Sequence, residues 1–222
     1  MKIADLTISI IESLPFSENT YVINRNGQAN CVVVDPGFEP DKILEYIDGE
    51  KLDPVAILNT HGHSDHIAGN AAMKKRWPDI PLIIGQDDAE KLTDPDLNLS
   101  APFGSPMVSP PADQTVKEGD TIEFAGISFE VLETPGHSKG HVVFIIKGSP
   151  IVVVGGDVLF AGSIGRTDFY DGNHADLVSS IHNKLFVLPE DTAVLTGHGF
   201  TTTIGREIDS NPFVGQPAGY AK

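Results

Sequence analysis

Short apolar runs separated by turn residues dominate the chain, and their periods change along it. Residues 3 to 11 and 20 to 24 read as strands, and Asn24 to Gly27 ends on the Asn-Gly pair of a tight hairpin leading into a strand that ends at Val34. The opening is therefore antiparallel. Asp35, Pro36 and Gly37 break that strand, after which Ile43, Leu44 and Ile47 form one face of a helix closing near Gly49. Pro54 to Leu58 has the length and branching of a buried strand; Ile67, Ala68, Ala71, Ala72 and Trp77 follow at helical spacing. Pro81 to Ile84 is another short strand, followed by a brief helix from about Gln86 to Leu92.

Between Thr93 and Ala112 five prolines interrupt any periodicity, so this passage is a loop, either a substrate lid or an inert excursion. Strand signals return at Thr121 to Phe124, Ile127 to Leu132, His141 to Ile146 and Ile151 to Val154, with Ala193 to Leu195 a further strand. Helical pattern recurs in Leu177, Ile181 and Leu185, with His174 as a cap for a helix starting near Ala175, and again over roughly Thr202 to Asp209. Strands joined first by helices and later by hairpins predict a mixed α/β sandwich. With no linker separating two cores, residues 1–222 are expected to form a single domain.

Charge narrows the function. Fifteen basic residues against 31 acidic ones give a net charge of −16, which disfavours a nucleic-acid partner. The densest basic cluster, Lys74-Lys75-Arg76, falls near a helix end, where cations complement the helix dipole. No apolar run approaches the roughly 20 residues needed to cross a bilayer. Asp5 stands where a secretory signal would have its apolar segment, so a cytoplasmic protein without membrane association is expected. Cys31, the one cysteine, lies in an apolar run and reads as a small core residue.

The chemistry concentrates in Thr60-His61-Gly62-His63-Ser64-Asp65-His66, on a strand-to-helix loop. Residues two apart in extended backbone point the same way, so His61 and His63 can converge on one ion. Asp65 and His66, where the chain turns into the helix, aim elsewhere, which suggests two neighbouring ions. Three later positions repeat the pattern of a ligand just past an apolar strand and beside glycine: His137, Asp157 and His198. If those strands pack side by side, all seven residues reach one rim. Imidazole with carboxylate suits zinc, iron or manganese. His141, His174 and His182 lack such settings and read as structural.

These motifs resemble the metallo-β-lactamase-fold hydrolases, and the narrower likeness is to short glyoxalase II-like proteins. Thr134 to His141, Gly156 to Phe160, Gly162 to Phe169 and Asn211 to Phe213 carry the narrower match. The resemblance implies an αββα four-layer sandwich with the metals at the sheet edge. It further implies that His61, His63 and His137 hold one metal, that Asp65, His66 and His198 hold the other, and that Asp157 bridges them. Asp65 would also orient the attacking hydroxide or take its proton, making Asp65 and Asp157 the catalytic carboxylates. Arg166 stands where glyoxalase II enzymes carry a basic substrate contact, and Lys139 is a second candidate contact for an anionic substrate. Unlike full-length glyoxalase II enzymes, residues 199–222 are expected to form no separate helical domain.

The activity so implied is hydrolysis of a hydroxyacyl-glutathione thioester such as S-lactoylglutathione, by hydroxide generated on two divalent metal ions. The rival is a persulfide dioxygenase, which shares a very similar Gly-Arg-Thr-Asp-Phe segment and uses one iron; here its ligands would be His61, His137 and Asp157. A noncatalytic metal-binding module would require a missing ligand, and none is missing. Class B β-lactamase is disfavoured because Asp157 stands where many of those enzymes carry cysteine.

Overall fold

The computed structural model describes residues 1–3 and 5–221. Ala4, inside the strand expected over residues 3 to 11, lies outside the described residues. One sheet has seven strands in chain order: β1 (Lys2–Ile3), β2 (Leu6–Ser13), β3 (Glu18–Arg25), β4 (Asn30–Val34), β5 (Asp53–Asn59), β6 (Leu82–Gly85) and β7 (Gln114–Val116). Its first four strands are antiparallel. From β4 onward the neighbours are parallel, because α1 (Pro40–Glu50), α3 (Asn70–Arg76) and, before β7, the passage of residues 86–113 carry the chain back between strands. The second sheet runs β15-β14-β11-β10-β9-β8. It is built from β8 (Thr121–Phe124), β9 (Ile127–Glu133), β10 (Val142–Ile146), β11 (Val152–Gly156), β14 (Ala193–Thr196) and β15 (Thr202–Thr203). A small two-stranded ribbon, β12 (Leu159–Phe160) with β13 (Ser163–Ile164), follows β11.

Strand periodicity decides what each face buries. On β4, Val32 and Val34 join Leu58, Phe129, Phe144 and Val154 between the two sheets, whereas Cys31 and Val33 face outward onto Ile43, Ile47 and Met73 of α1 and α3. On the second sheet Val143, Val153 and Val194 face outward against α4 (His174–Ser180) and α5 (Ile204–Ser210), through Leu177, Ile204 and Ile208. Three apolar interfaces stack four layers: helices, sheet, sheet, helices. That is the expected αββα sandwich, and buried Cys31 is part of its core. No helix among the described residues is long and apolar enough to cross a membrane.

Several local expectations need correction. The helix after the ligand loop is two pieces, α2 (Ser64–Ile67) and α3, broken at Ala68 and Gly69, where Gly69 N–H donates instead to the Pro36 carbonyl at 2.7 Å. The segment Gln86–Leu92 is a 3-10 helix. His174 is not the cap of α4. Asn173 is, its side-chain oxygen accepting from the backbone N–H of Ala175 and Asp176 at 2.9 and 3.2 Å.

Candidate metal centre

All seven candidate ligands arrive at one edge because each follows the C-terminal end of a strand. His61, His63, Asp65 and His66 follow β5, His137 follows β9, Asp157 follows β11 and His198 follows β14. Close packing of β11 on β14 brings the last two together, with Gly197 N–H donating to the Gly156 carbonyl at 2.7 Å. Glycine is required here. A Cβ on Gly197 would lie 2.1 Å from Asp157 Oδ1, and Gly156, at φ +49°, has Thr60 Oγ1 where its Cβ would be.

Donor atoms converge in three groups, each with all atoms within 4.8 Å: His61, His63 and His137; His61, His66 and Asp157; and Asp65, His66 and His198. His66 Nε2 is 3.4 Å from Asp157 Oδ1 and 3.3 Å from His198 Nε2. Asp157 Oδ2 is 3.4 Å from both His137 Nε2 and His198 Nε2, and Asp65 Oδ2 is 3.4 Å from His198 Nε2. Two ligands on a four-coordinate ion at about 2.0–2.1 Å sit roughly 3.3 Å apart, so these spacings match a shared cation. Buried His61 Nε2, His63 Nε2 and Asp157 Oδ1 have no hydrogen-bond partner, which a protein tolerates at the cost of their desolvation unless an ion satisfies them. The donor set fits divalent metal.

The remaining imidazole nitrogens are occupied by groups that fix ring orientation. His66 Nδ1 is 3.1 Å from Asp35 Oδ2, His137 Nδ1 donates to the Arg166 carbonyl at 2.8 Å, and His198 Nδ1 donates to the Phe16 carbonyl at 3.0 Å. Asp35 also accepts from Thr60 N–H at 2.8 Å and Thr60 Oγ1 at 2.7 Å, just before His61. His141 is a supporting residue, as expected. Its Nδ1 meets Thr134 Oγ1 at 2.8 Å and its Nε2 accepts from Asp157 N–H at 3.1 Å; burial pushes its pKa down to about 3, keeping it neutral for that role.

Behind the ligand loops lies a buried ion-pair relay. Asp88 accepts from Gly62 N–H at 2.9 Å, Ser138 Oγ at 2.7 Å and Gly140 N–H at 2.8 Å, and pairs with Lys91 Nζ at 3.0 Å. One carboxylate thus braces the loop of His61 and His63 against the loop of His137. Lys91 continues to Asp171 at 2.7 Å. Although burial opposes its charge, Lys91 and the donors hold the Asp88 carboxyl below its usual range.

Electrostatics divide the cluster. Burial, with neighbouring imidazoles, holds His61 and His63 well below the ordinary histidine pKa, and burial holds His137 below it too. Burial works against His66 and His198 as well, but the carboxylates, led by Asp157, outweigh it and raise both, His198 to about 10. Fully buried Glu18, beside this half of the site, is pushed up by desolvation.

A cavity of about 320 Å³ opens onto the ligands. Its wall outside the ligand set is Phe16, Leu99, Phe103, Phe160, Ile164 and Phe169, with Ser64, Ser163 and Arg166. Leu99 and Phe103 belong to the Pro-rich passage, which is therefore a wall of the site, anchored where the Asn98 carbonyl accepts from Ser64 N–H at 2.9 Å. Arg166 lies on the wall with its guanidinium in a two-pronged bond to Asp168, both contacts 2.7 Å, and stacked 4.3 Å over the Phe169 ring. Lys139 is exposed, pairs with Asp87 at 3.1 Å and is not on the cavity wall.

The start of β3 is fastened to the last candidate ligand loop. Asn19 N–H donates to the Gly197 carbonyl at 2.8 Å, its side chain donates to the Thr196 and Gly199 carbonyls at 3.0 and 2.9 Å, and Tyr21 OH donates to Thr196 O at 2.7 Å.

The sequence profile described as the metallo-beta-lactamase superfamily matches residues 14–198. Among curated relatives, the chain is 41% identical over 201 residues to the probable metallo-hydrolase YqgX of Bacillus subtilis, covering 90% of this chain and 93% of that one. It is 36% identical over 212 residues to the hydroxyacylglutathione hydrolase GloC of Haemophilus influenzae, covering 94% and 98%. Among solved structures, the BLEG-1 B3 metallo-beta-lactamase superposes with a TM-score of 0.89 at 39% identity, covering 94% of this chain and 99% of that one. TTHA1623 in a di-iron-bound form superposes with a TM-score of 0.79 at 34% identity, covering 92% and 99%.

Proposed function

The chain belongs to the metallo-beta-lactamase superfamily, and from that premise we propose that it is a binuclear metallohydrolase that cleaves thioesters of the hydroxyacyl-glutathione type. His61, His63 and His137 would hold one divalent ion and Asp65, His66 and His198 the other, with Asp157 reaching both. Zinc, iron or manganese suits these donors. Such ions, when bound, lower the pKa of water towards about 7 and polarise a carbonyl.

The chain's own residues supply the rest. Asp65 lines the cavity, so its carboxylate can orient an attacking water and accept its proton. Asp157 holds the two halves of the cluster in register, and His141 holds Asp157 by its backbone N–H. Arg166 offers a cation for a substrate carboxylate.

One observation carries the thioester reading. Apart from the ligand candidates, the polar side chains on the cavity wall are Ser64, Ser163 and Arg166, none of them a general acid at neutral pH. A thiolate with a free pKa of about 8.5 departs without protonation, so thioester cleavage asks for no acid beyond the residues on this wall. The 36% identity to a hydroxyacylglutathione hydrolase supports the same substrate class.

Protein reconstituted with two equivalents of zinc, iron or manganese is expected to release free thiol from S-lactoylglutathione, followed with a chromogenic thiol reagent. Asp65→Asn should lower kcat by roughly 10²-fold or more while the chain stays folded. One iron per chain with steady oxygen uptake on glutathione persulfide, and no thioester cleavage, would replace this reading with the dioxygenase.

A further inference from the structure

Most side chains on the cavity wall that are not ligand candidates are hydrocarbon. Phe16 and Phe103 stay 43% and 57% exposed, and their rings lie 6.1 Å apart although they stand 87 positions apart in sequence. Exposed aromatic surface placed beside a reactive centre marks where a ligand's apolar part is received. Both rings are registered to the metal ligands. The Phe16 carbonyl accepts from His198 Nδ1 at 3.0 Å, and the loop carrying Phe103 is pinned to Ser64, the neighbour of His63 and Asp65, through the 2.9 Å bond to Asn98 O.

Charge contributes less to this wall. Arg166, its one cation, already faces Asp168 in a two-pronged pair, and Lys139 sits off the wall against Asp87. A glutathione thioester has two carboxylates to satisfy, yet the surface available for discrimination is aromatic.

We propose that the preferred thioester carries an apolar group, aryl or branched alkyl, that packs on Phe16 and Phe103 while the carbonyl sits at the metal ligands. This rests on the thioester reading and adds the substrate's non-reacting half to it. Such a group could belong to the acyl half or to the thiol half, and the two sources are separable.

The experiment uses the metal-loaded full chain with two series. In one, glutathione is fixed and the acyl group runs from lactoyl through hexanoyl to phenylacetyl; in the other, lactoyl is fixed and the thiol runs from glutathione to benzyl mercaptan. In whichever series places the apolar group on the wall, kcat/KM should rise about 10- to 100-fold. Replacing both rings (Phe16→Ala with Phe103→Ala) should bring the ratio of apolar to lactoyl substrate close to one, with metal content unchanged. A flat response in both series, or a preference that survives in the double variant, overturns the proposal. If no thioester is cleaved at all, the hydrolase reading fails by itself. The wall is then judged by calorimetric binding of benzyl mercaptan against 2-mercaptoethanol: at least tenfold tighter binding, lost in the double variant, supports it, and equal binding overturns it.

Discussion

Replacing Asp88 with Asn changes one heavy atom and should loosen both candidate ligand loops at once. In the folded chain both carboxylate oxygens face only donors: Gly62 N–H and Ser138 Oγ on one side, Gly140 N–H and Lys91 Nζ on the other. An asparagine must turn its NH₂ towards one side. The less damaging choice faces Ser138, whose hydroxyl can rotate to accept, but it strands the Gly62 N–H, at about 1–3 kcal/mol. Removing the charge also weakens compensation for Lys91. Breaking a buried pair costs about 3–5 kcal/mol when nothing replaces it, and Lys91 keeps Asp171, so the lower part of that range or less applies. Together these predict a loss of roughly 4 kcal/mol, read as a fall in the urea midpoint at unchanged slope. Because Gly62 lies between His61 and His63 and Ser138 follows His137, metal affinity measured by chelator competition should fall about 10- to 100-fold. Adding Lys91→Met removes the half-compensated cation but also takes the ion-pair partner of Asp171, leaving it the Lys139 N–H at 3.0 Å, so it should restore little of either stability or affinity. A loss under about 1 kcal/mol with unaltered affinity would refute the bracing role.

Chelation should lower the thermal midpoint by roughly 10 °C, since an ion present at a thousand times its Kd contributes about 4 kcal/mol, and scanning calorimetry with and without chelator checks it. Cys31 is buried and its thiol is pushed up to about 12 by desolvation. Ellman's reagent should therefore react at neutral pH only on unfolding. Because the folded thiol holds its proton where the unfolded one has lost it, its contribution to stability is whole below about pH 8.5 and declines as pH rises towards 12. Asn173→Ala removes the cap of α4 and should cost about 1 kcal/mol, a drop of roughly 2–4 °C in melting temperature.

The convergence of the candidate ligands was legible in the sequence because each advertises itself locally, as a polar residue between an apolar strand and glycine. The layers were legible because alternate strand residues must face opposite ways, as Val32 and Val33 do. What supports the ligands was not. Asp35 reads as a strand breaker beside Pro36, and its bonds to Thr60 and His66 span 25 and 31 residues. Asp88 sits in an unremarkable acidic stretch, and nothing local indicates that Gly62 and Gly140 will meet it. Phe16 and Phe103 become one surface only when the first hairpin and the Pro-rich loop are brought together. His174 is not the cap of α4 because Asn173, beside it, offers the shorter and better-placed acceptor.

The tie between Asn19, Tyr21 and residues 196–199 joins parts of the chain more than 170 positions apart. Contacts that distant form late, since closing so long a loop is entropically opposed until the intervening strands have paired. His61, His63 and His137 can be gathered by a nascent polypeptide well before His198 has been synthesised. If the centre is filled as proposed, the group of His61, His63 and His137 does not depend on this tie, whereas the group of Asp65, His66 and His198 is complete only once residues 196–199 have docked against β3.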